Sequence, residues 1–271
     1  MIRMKNTKCM VLGLILSLGL VSCSKFSRIQ KRGTLDEKLD AGIAYYLEKE
    51  YYKSSVLLEE ITPLLKGQAK AEMALFYLAH DYYMQEQYPM SSFYFHDFYQ
   101  TYNRSERHEE AMYMYAKSLF NESPIYKLDQ QNTYDCLKAI QAFVTRYPKS
   151  IYVLDCNVMI DELSNKLEHK QYDQAKLYHK IHNFKAAVIA LTNFLEEYPG
   201  STYSEELCYV RVDSQYELAK NSVSGKVQLE RYYDAIGFYR SFVEKYPSSK
   251  FLVKAKKYSE LCEAAIADIK Y

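Results

Sequence analysis

The strongest constraint on the fold of this chain is an eight-residue phrase that returns along the sequence. It reads Phe, three variable residues, Tyr, Pro, one variable residue and Ser, and a looser copy has Tyr102 and Asn103 in place of the Tyr-Pro pair. Self-similarity of this kind indicates a repeat protein, in which each unit buries its apolar face against its neighbours. The copies are Phe98–Ser105, Phe143–Ser150, Phe194–Ser201 and Phe242–Ser249.

A small or polar side chain stands seven residues before each phrase, and the spacing of apolar residues around it is helical. The stretch from Ala71 to Tyr82 has a one-sided apolar stripe with steps of three and four residues, which indicates an amphipathic helix. Proline ends a helix, and a small residue allows two helices to approach closely. The sequence therefore predicts an all-α fold. The small residues are Ser91, Cys136, Ala187 and Ala235, and at an earlier copy Ser54 stands seven residues before Ile61.

This spacing resembles the tetratricopeptide repeat, a helix–turn–helix unit of about 34 residues. The resemblance implies a right-handed superhelical solenoid of about five helix pairs, closed by a C-terminal capping helix. It implies one repeat domain over residues 34–271. The repeats are expected near 34–66, 68–104, 106–149, 168–200 and 204–248, with the cap at 249–271.

Local signals refine this architecture. Thr34 and Glu37 form a capping box that predicts the start of the first helix. Longer internal loops are expected around Glu122–Asn132 and Asn221–Glu230. Between Ser150 and Asn183 there is neither Gly nor Pro, so we expect one unusually long helix that bridges repeats three and four.

The first residues are typical of a targeting signal. Residues 1–22 have a basic start and an apolar run that is too short to span a bilayer comfortably. Leu20–Cys23 resembles the bacterial lipobox, which implies a diacylglycerol-modified Cys23, a covalent N-terminal lipid and no other cofactor. Residues 23–33 would then be the lipidated N-terminus and a linker, and Ser24 and Lys25 favour the periplasmic face of the outer membrane. The alternative is an ordinary secretory signal with an unrelated cysteine.

Charge and motif content exclude several function classes. The 35 basic and 34 acidic residues give a net charge of +1, which argues against a nucleic-acid partner. No nucleophile, phosphate-loop or zinc-protease motif is found, so we expect no enzyme activity. His179 and His182, with His169 further back, could share a metal, but a solvated helix face is the favoured interpretation and no metal is expected.

Four cysteines remain after Cys23, and their spacing matches no zinc site. An oxidising compartment would permit disulfides. The favoured alternative is that they are small buried residues at helix contacts. They are Cys136, Cys156, Cys208 and Cys262.

Repeat solenoids offer a concave groove lined by the first helix of each repeat, which suits an extended or helical peptide. Extending the repeat register places an aromatic set in the N-terminal half of this groove and a basic set in the C-terminal half. Packing between repeats is the alternative for any single aromatic residue. The two sets suggest two different partners. The peptide-binding candidates are Ile43, Tyr46, Phe76, His80, Tyr83, Tyr113 and Phe120, and the partner-docking candidates are His169, Tyr172, Lys176, His179 and Lys180.

The lipobox, the Tyr-Pro-x-Ser repeat ends and the long helix together resemble the BamD family of outer-membrane lipoproteins over residues 20–271. The resemblance implies a non-catalytic subunit of the outer-membrane β-barrel assembly machine. Its N-terminal repeats would receive the C-terminal signal of unfolded outer membrane proteins. Its C-terminal repeats would dock the POTRA domains of a BamA-like barrel protein, and the anchor would enter outer-membrane lipid. The alternative is another tetratricopeptide lipoprotein scaffold, such as a secretin pilotin or a division or peptidoglycan factor.

Overall fold

A computed structural model describes residues 25–223 and 225–269, and all regular structure in these residues is helical. Cys23 and the signal segment lie outside them. No helix in the described part is both long and apolar enough to cross a membrane. The helices are α1 (residues 25–32), α2 (Leu35–Leu47), α3 (Tyr51–Ile61), α4 (Lys70–Met84), α5 (Tyr88–Thr101), α6 (His108–Glu122), α7 (Gln131–Arg146), α8 (Val153–Lys180), α9 (Phe184–Glu197), α10 (Ser204–Lys220), α11 (Lys226–Lys245) and α12 (Leu252–Ile269), and a short 3₁₀ turn (Thr62–Leu65) follows α3.

The chain divides into two compact units. Unit 1 holds the residues up to Pro124 together with Leu128–Asp161. Unit 2 holds Ile125–Lys127 and the residues from Glu162 onward. The division falls inside α8, at a point where the sequence shows no change of composition. The single repeat domain and its repeat boundaries stay predictions.

The recurring phrase makes the same turn at each of its four copies. The Tyr N–H donates to the Phe carbonyl at 2.8–2.9 Å, which closes the last turn of α5, α7, α9 and α11. The Ser N–H then donates to the Tyr carbonyl at 3.0–3.1 Å. The Ser hydroxyl accepts from the backbone N–H two residues later at 2.9–3.1 Å. The four phenylalanines are at most 1% exposed, so the predicted helix ends and buried aromatic positions are confirmed.

The predicted capping box begins α2. The Glu37 N–H donates to the Thr34 hydroxyl at 3.2 Å, and the Thr34 N–H donates to the Glu37 carboxylate at 2.8 Å. Gly42 lies against α3, where an added Cβ would come within 2.7 Å of Leu58 Cδ2. This close approach explains why a small residue stands here.

Most of the segment that is expected to link the lipidated N-terminus to the repeats is helical. Residues 25–32 form α1, and the Phe26 ring lies 5.8 Å from the Tyr45 ring in an edge contact. The helix ends where the Gly33 N–H donates to the Ile29 carbonyl at 2.7 Å. Polar composition hid this helix, because its apolar residues are few and their burial depends on α2.

The long Gly/Pro-free stretch forms one helix of 28 residues, α8, as predicted. A loop separates Glu122 from α7, also as expected. The second expected loop is shorter than predicted, because α11 already begins at Lys226.

The four described cysteines are buried, and none forms a disulfide with another described cysteine. Cys136 Sγ donates to the Ala116 carbonyl at 3.3 Å, a contact between α7 and α6. Their interpretation as small residues at helix contacts is confirmed.

Candidate functional site

Three of the seven peptide-binding candidates meet in unit 1. The His80 ring of α4 lies 4.6 Å from Phe76 and 6.1 Å from Tyr46 of α2. Phe76 and His80 are almost fully buried, whereas Tyr46 is half-buried. Tyr46 is therefore the ring of this group that a ligand can reach, and the two buried rings pack beneath the surface beside it.

Carboxylates border this ring cluster. His80 Nε2 lies 3.3 Å from Glu110 Oε1 of α6, and the nearby imidazole lowers the pKa of Glu110. Burial, followed by the neighbouring Tyr51 hydroxyl and Asp81 carboxylate, raises the pKa of Tyr46 to about 12. The Tyr46 hydroxyl is therefore protonated at neutral pH and can donate a hydrogen bond to a ligand.

Asp81, next to His80, has an unusual environment. Its side chain is 0% exposed, and neither carboxylate oxygen has a hydrogen-bond partner. Burial raises its pKa to about 8, and the nearby Ser54 hydroxyl, which is outside hydrogen-bond geometry, offsets only part of that rise. Asp81 is therefore predominantly neutral at pH 7. Its sequence neighbours gave no sign of this burial.

The remaining peptide-binding candidates lie along the same helices. Ile43 is half-buried against the core of α2, α3 and α4. The Tyr83 hydroxyl accepts from Asn121 Nδ2 of α6 at 3.1 Å. Phe120 is half-buried, but Tyr113 is only 6% exposed. Of the seven candidates, Ile43, Tyr46, Tyr83 and Phe120 thus retain accessible surface, while the structure places Phe76, His80 and Tyr113 in packing positions.

Tyr113 belongs to a four-residue contact that we call the first clamp: Tyr113 and Lys117 of α6, with Tyr152 and Asp155 at the start of α8. The two tyrosine rings stack with centroids 4.1 Å apart. Lys117 Nζ lies 2.7 Å from Asp155 Oδ2, and the Tyr113 hydroxyl donates to the same oxygen at 2.6 Å. Burial alone would raise the pKa of Asp155, but these hydrogen bonds lower it.

Unit 2 contains a matching contact, the second clamp: Tyr172 and Lys176 of α8, with Tyr203, the N-cap residue of α10, and Glu206 in the first turn of α10. The rings again stack at 4.1 Å. Lys176 Nζ lies 2.8 Å from Glu206 Oε1, and the Tyr172 hydroxyl donates to Glu206 Oε2 at 2.9 Å. Burial would raise the pKa of Glu206, and the contact with Lys176 and Tyr172 lowers it.

The other docking candidates also meet α10 or the loop before α7. His169 lies 4.4 Å, ring to ring, from Tyr126. His179 Nδ1 is 2.9 Å from Ser214 Oγ, and its Nε2 is 3.6 Å from Asp213 Oδ2. Lys180 is exposed. Lys176 and His179 each face a carboxylate of α10, so the face is less basic than its α8 residues alone indicate, and its docking role stays a prediction.

The opposing acids Glu110, Glu206 and Asp213 were not among the candidates predicted from the sequence, although the repeat register contained a signal for two of them. In those two contacts the basic residue directly follows the small residue of one repeat's first helix, as His80 follows Ala79 and Lys176 follows Ala175. Its acidic partner lies on the next first helix, six residues before the position that aligns with that small residue, as Glu110 lies six residues before Ala116. Glu206 stands in the same relation to Val212. The described residues contain no cluster of three or more His, Cys, Asp or Glu arranged to hold a metal.

Comparison with known proteins adds a family. The family model described as YfiO, outer membrane lipoprotein, matches residues 39–193 and 168–270. The outer membrane protein assembly factor BamD of Rickettsia prowazekii (strain Madrid E) is 23% identical over 141 residues, which is 52% of this chain and 52% of that protein. The chain thus spans about half the length of the curated relative that it matches.

Proposed function

We propose, since the chain belongs to the YfiO family of outer membrane lipoproteins, that it is a non-catalytic subunit of an outer-membrane β-barrel assembly machine. Its task would be to hold unfolded outer membrane proteins and to deliver them to a BamA-like barrel. The family match carries this proposal, and it agrees with the role of the Rickettsia relative as an outer membrane protein assembly factor.

Client binding is assigned to unit 1. Tyr46, Tyr83 and Phe120 are half-buried and lie on α2, α4 and α6. By family resemblance, the C-terminal signal of an unfolded barrel protein ends in aromatic and apolar residues. Such residues would pack against these rings, and the Tyr46 hydroxyl would donate to a peptide carbonyl.

Partner docking is assigned to unit 2. Tyr172 and Lys176 are fixed by Glu206, so the second clamp offers a defined surface rather than mobile side chains. His179 and Lys180 continue this surface toward the end of α8. The POTRA domains of the BamA-like barrel are the proposed occupant.

The membrane attachment is proposed to be the lipid on Cys23, with the protein at the periplasmic face of the outer membrane. Each buried CH₂ of an acyl chain contributes about 0.8 kcal/mol to the free energy of membrane binding, so several chains would make the attachment effectively permanent. Cys23→Ala should therefore leave an uncleaved or soluble protein. Continued membrane anchoring in that variant would contradict the assignment. The helix pairs are proposed to continue as a right-handed solenoid of about five repeats with α12 as its cap.

A pull-down of the full-length lipidated chain in detergent tests the proposal. We expect a POTRA-containing barrel protein to co-purify, and we expect the Cys23→Ala variant to recover less of it from intact cells. Recovery of a secretin, or of a peptidoglycan or division factor, in place of a POTRA barrel would reject the proposal in favour of another envelope scaffold.

A further inference from the structure

Two adjoining depressions lie on unit 2, and His179 lines both of them. The first has a volume of about 370 Å³ and is bordered by α8 and Val210 of α10. The second has a volume of about 590 Å³ and lies between the end of α8, the start of α9 and α10. Neither is occupied by a side chain of this unit, and neither belongs to the two clamps, although Lys176 borders the first.

Most of the lining surface of the first depression is apolar, although Asp173 and Lys180 also border it. Leu177 is 52% exposed, although it is a large aliphatic side chain, and Val210 forms the opposite wall. Lys176 is turned toward Glu206 at 2.8 Å, so its aliphatic stem borders the depression while its charge is neutralised. This depression suits an aliphatic side chain of a ligand.

The second depression is acidic. Asp213 and Glu217 of α10 line it one helical turn apart, and His179 Nε2 lies 3.6 Å from Asp213 Oδ2. Glu217 also lies 3.8 Å from Lys220, which is itself more than half exposed and does not line the depression. Burial raises the pKa of Asp213 above its ordinary value; His179 and the Tyr258 hydroxyl offset part of this rise, and the neighbouring Glu217 adds to it.

A flat aromatic surface completes the second depression. The rings of His182 and Phe184 are stacked at 5.4 Å with an angle of 15° between their planes. Both line the same depression as the two carboxylates. A planar guanidinium can stack on such a surface while it donates paired hydrogen bonds to a carboxylate, whereas an ammonium group lacks that geometry.

The spacing of the two depressions matches an extended peptide. Val210 and Asp213 are three residues apart on α10, which places their Cβ atoms about 5–6 Å from one another. Alternate side chains of an extended chain point to one side and are about 6.6 Å apart. A residue pair i and i+2 of one peptide can therefore enter both depressions.

From this arrangement we infer that unit 2 binds an extended segment of a partner protein in which an aliphatic residue is followed two positions later by an arginine. The aliphatic side chain enters between Leu177 and Val210. The guanidinium pairs with Asp213 and Glu217 and stacks on Phe184. This inference deepens the docking role proposed for unit 2 and rests on it for the identity of the partner.

Fluorescence anisotropy with the full-length mature chain in detergent tests the inference. The probes are three labelled peptides in a Gly-Ser background that carry Leu-Ser-Arg, Leu-Ser-Glu or Ser-Ser-Arg. We expect Leu-Ser-Arg to bind about tenfold tighter than Leu-Ser-Glu, because the arginine pair is charge-assisted. Equal or tighter binding of Leu-Ser-Glu would overturn the inference.

Variants locate the binding. Glu217→Gln should weaken Leu-Ser-Arg about tenfold, and Leu177→Ser should reduce the difference between Leu-Ser-Arg and Ser-Ser-Arg. The matched control is Glu260→Gln on α12, an acid whose side chain is 62% exposed and which lines neither depression. If Glu217→Gln binds as the wild type does, or if Glu260→Gln weakens binding equally, the site is not here.

The pull-down of the POTRA barrel separates this inference from the proposed function. Peptide binding without recovery of the barrel supports the acidic and apolar depressions and rejects the docking role. Recovery of the barrel without peptide binding rejects the inference and leaves the docking role standing.

Discussion

In unit 1 a tyrosine and a lysine of α6 meet the tyrosine just before α8 and an aspartate in the first turn of α8. In unit 2 a tyrosine and a lysine of α8 meet the tyrosine just before α10 and a glutamate in the first turn of α10. Both clamps stack their rings at 4.1 Å and close their ion pairs at 2.7–2.8 Å. The repeat register therefore fixes how successive first helices join, in both units and with nearly the same geometry.

The earliest contact of this kind in unit 1 differs from the two clamps. His80 and Glu110 occupy the ion-pair positions at 3.3 Å, and Phe76 takes the place of the clamp tyrosine. Phenylalanine has no hydroxyl to donate, and the imidazole of His80 stands where the clamps have a lysine ammonium group. The shared register thus supports an aromatic surface near α4 and a polar, charge-balanced surface near α10. This difference is the basis for assigning two partners to the two units.

The largest effect tests what the units share. Phe143→Ala in unit 1 and Phe194→Ala in unit 2 each remove a ring that is 0% exposed from equivalent positions. Each should lower the free energy of unfolding by about 3–5 kcal/mol because a cavity remains, measured by urea denaturation. The control is Phe93→Ala, whose ring is 62% exposed. A loss below about 1 kcal/mol at one of the two sites would break the equivalence.

The next effect tests a difference between α4, which has a buried aspartate, and the matching helices α6 and α10, which have a serine at that position. Asp81 of α4 stands two residues after Ala79, where α6 has Ser118 and α10 has Ser214, and both of those hydroxyls have hydrogen-bond partners. Asp81→Asn should raise the free energy of unfolding by about 1–3 kcal/mol at pH 8, because a buried carboxylate without partners is removed.

The effect of Asp81→Asn on stability should depend on pH, because the pKa of Asp81 is raised in the folded state. The pKa of Asp81 is raised to about 8 in the folded state, so the wild type loses stability as the pH rises from about 4 to 8. The advantage of the variant should grow over the same range and become small at pH 4. Thermal melts across pH measure it. An advantage that is constant with pH would show that Asp81 does not titrate in this window.

A smaller effect tests the turns that hold the clamps. The Ser150 hydroxyl accepts from the Tyr152 N–H at 3.1 Å, and the Ser201 hydroxyl accepts from the Tyr203 N–H at 3.0 Å. Ser150→Ala and Ser201→Ala should each cost about 1 kcal/mol, as the loss of a helix cap does. Equal shifts in the urea midpoint are expected, and an effect in only one unit would show that the turns are not equivalent.

The smallest effect concerns the clamp ion pairs themselves. Lys117→Gln and Lys176→Gln should each cost about 0.2–1 kcal/mol, since these pairs are partly solvated. The pKa values of Asp155 and Glu206 are lowered in the folded state. The contribution is therefore present above pH of about 4 and is lost as the pH falls further. A cost that persists under acidic conditions would mean that the lysine stems, and not their charges, stabilise the clamps.

The sequence predicted the features that depend on local chemistry. The Phe, Tyr and Ser of each repeat phrase locate helix ends because the backbone hydrogen bonds of that turn are local, as at Phe194 and Tyr198. The absence of Gly and Pro after Ser150 predicts α8 because no residue in this stretch interrupts the helix. Local patterns of this kind are complete within a few residues.

Features that depend on a second helix were missed. Asp213 and Glu206 face α8 from α10, about 30 residues away in the sequence, so α8 alone looked basic. Asp81 looked like one more polar residue of α4, because periodicity shows which face it occupies but not that α2 and α3 cover that face. Both the charge balance of the α8 face and the burial of Asp81 are set by how neighbouring helices pack, which the composition of one helix does not show.

Site-specific photo-crosslinking in living cells tests the central assignment most directly, namely that the ring-bearing face of α2, α4 and α6 receives unfolded clients. A photoreactive phenylalanine analogue at Tyr46 or Tyr83 should capture newly made outer membrane proteins. The same analogue at Phe93, an exposed aromatic position on α5, should capture far less. Equal capture at Phe93 and Tyr83, or no capture at Tyr46 and Tyr83 in a folded protein, would contradict the account.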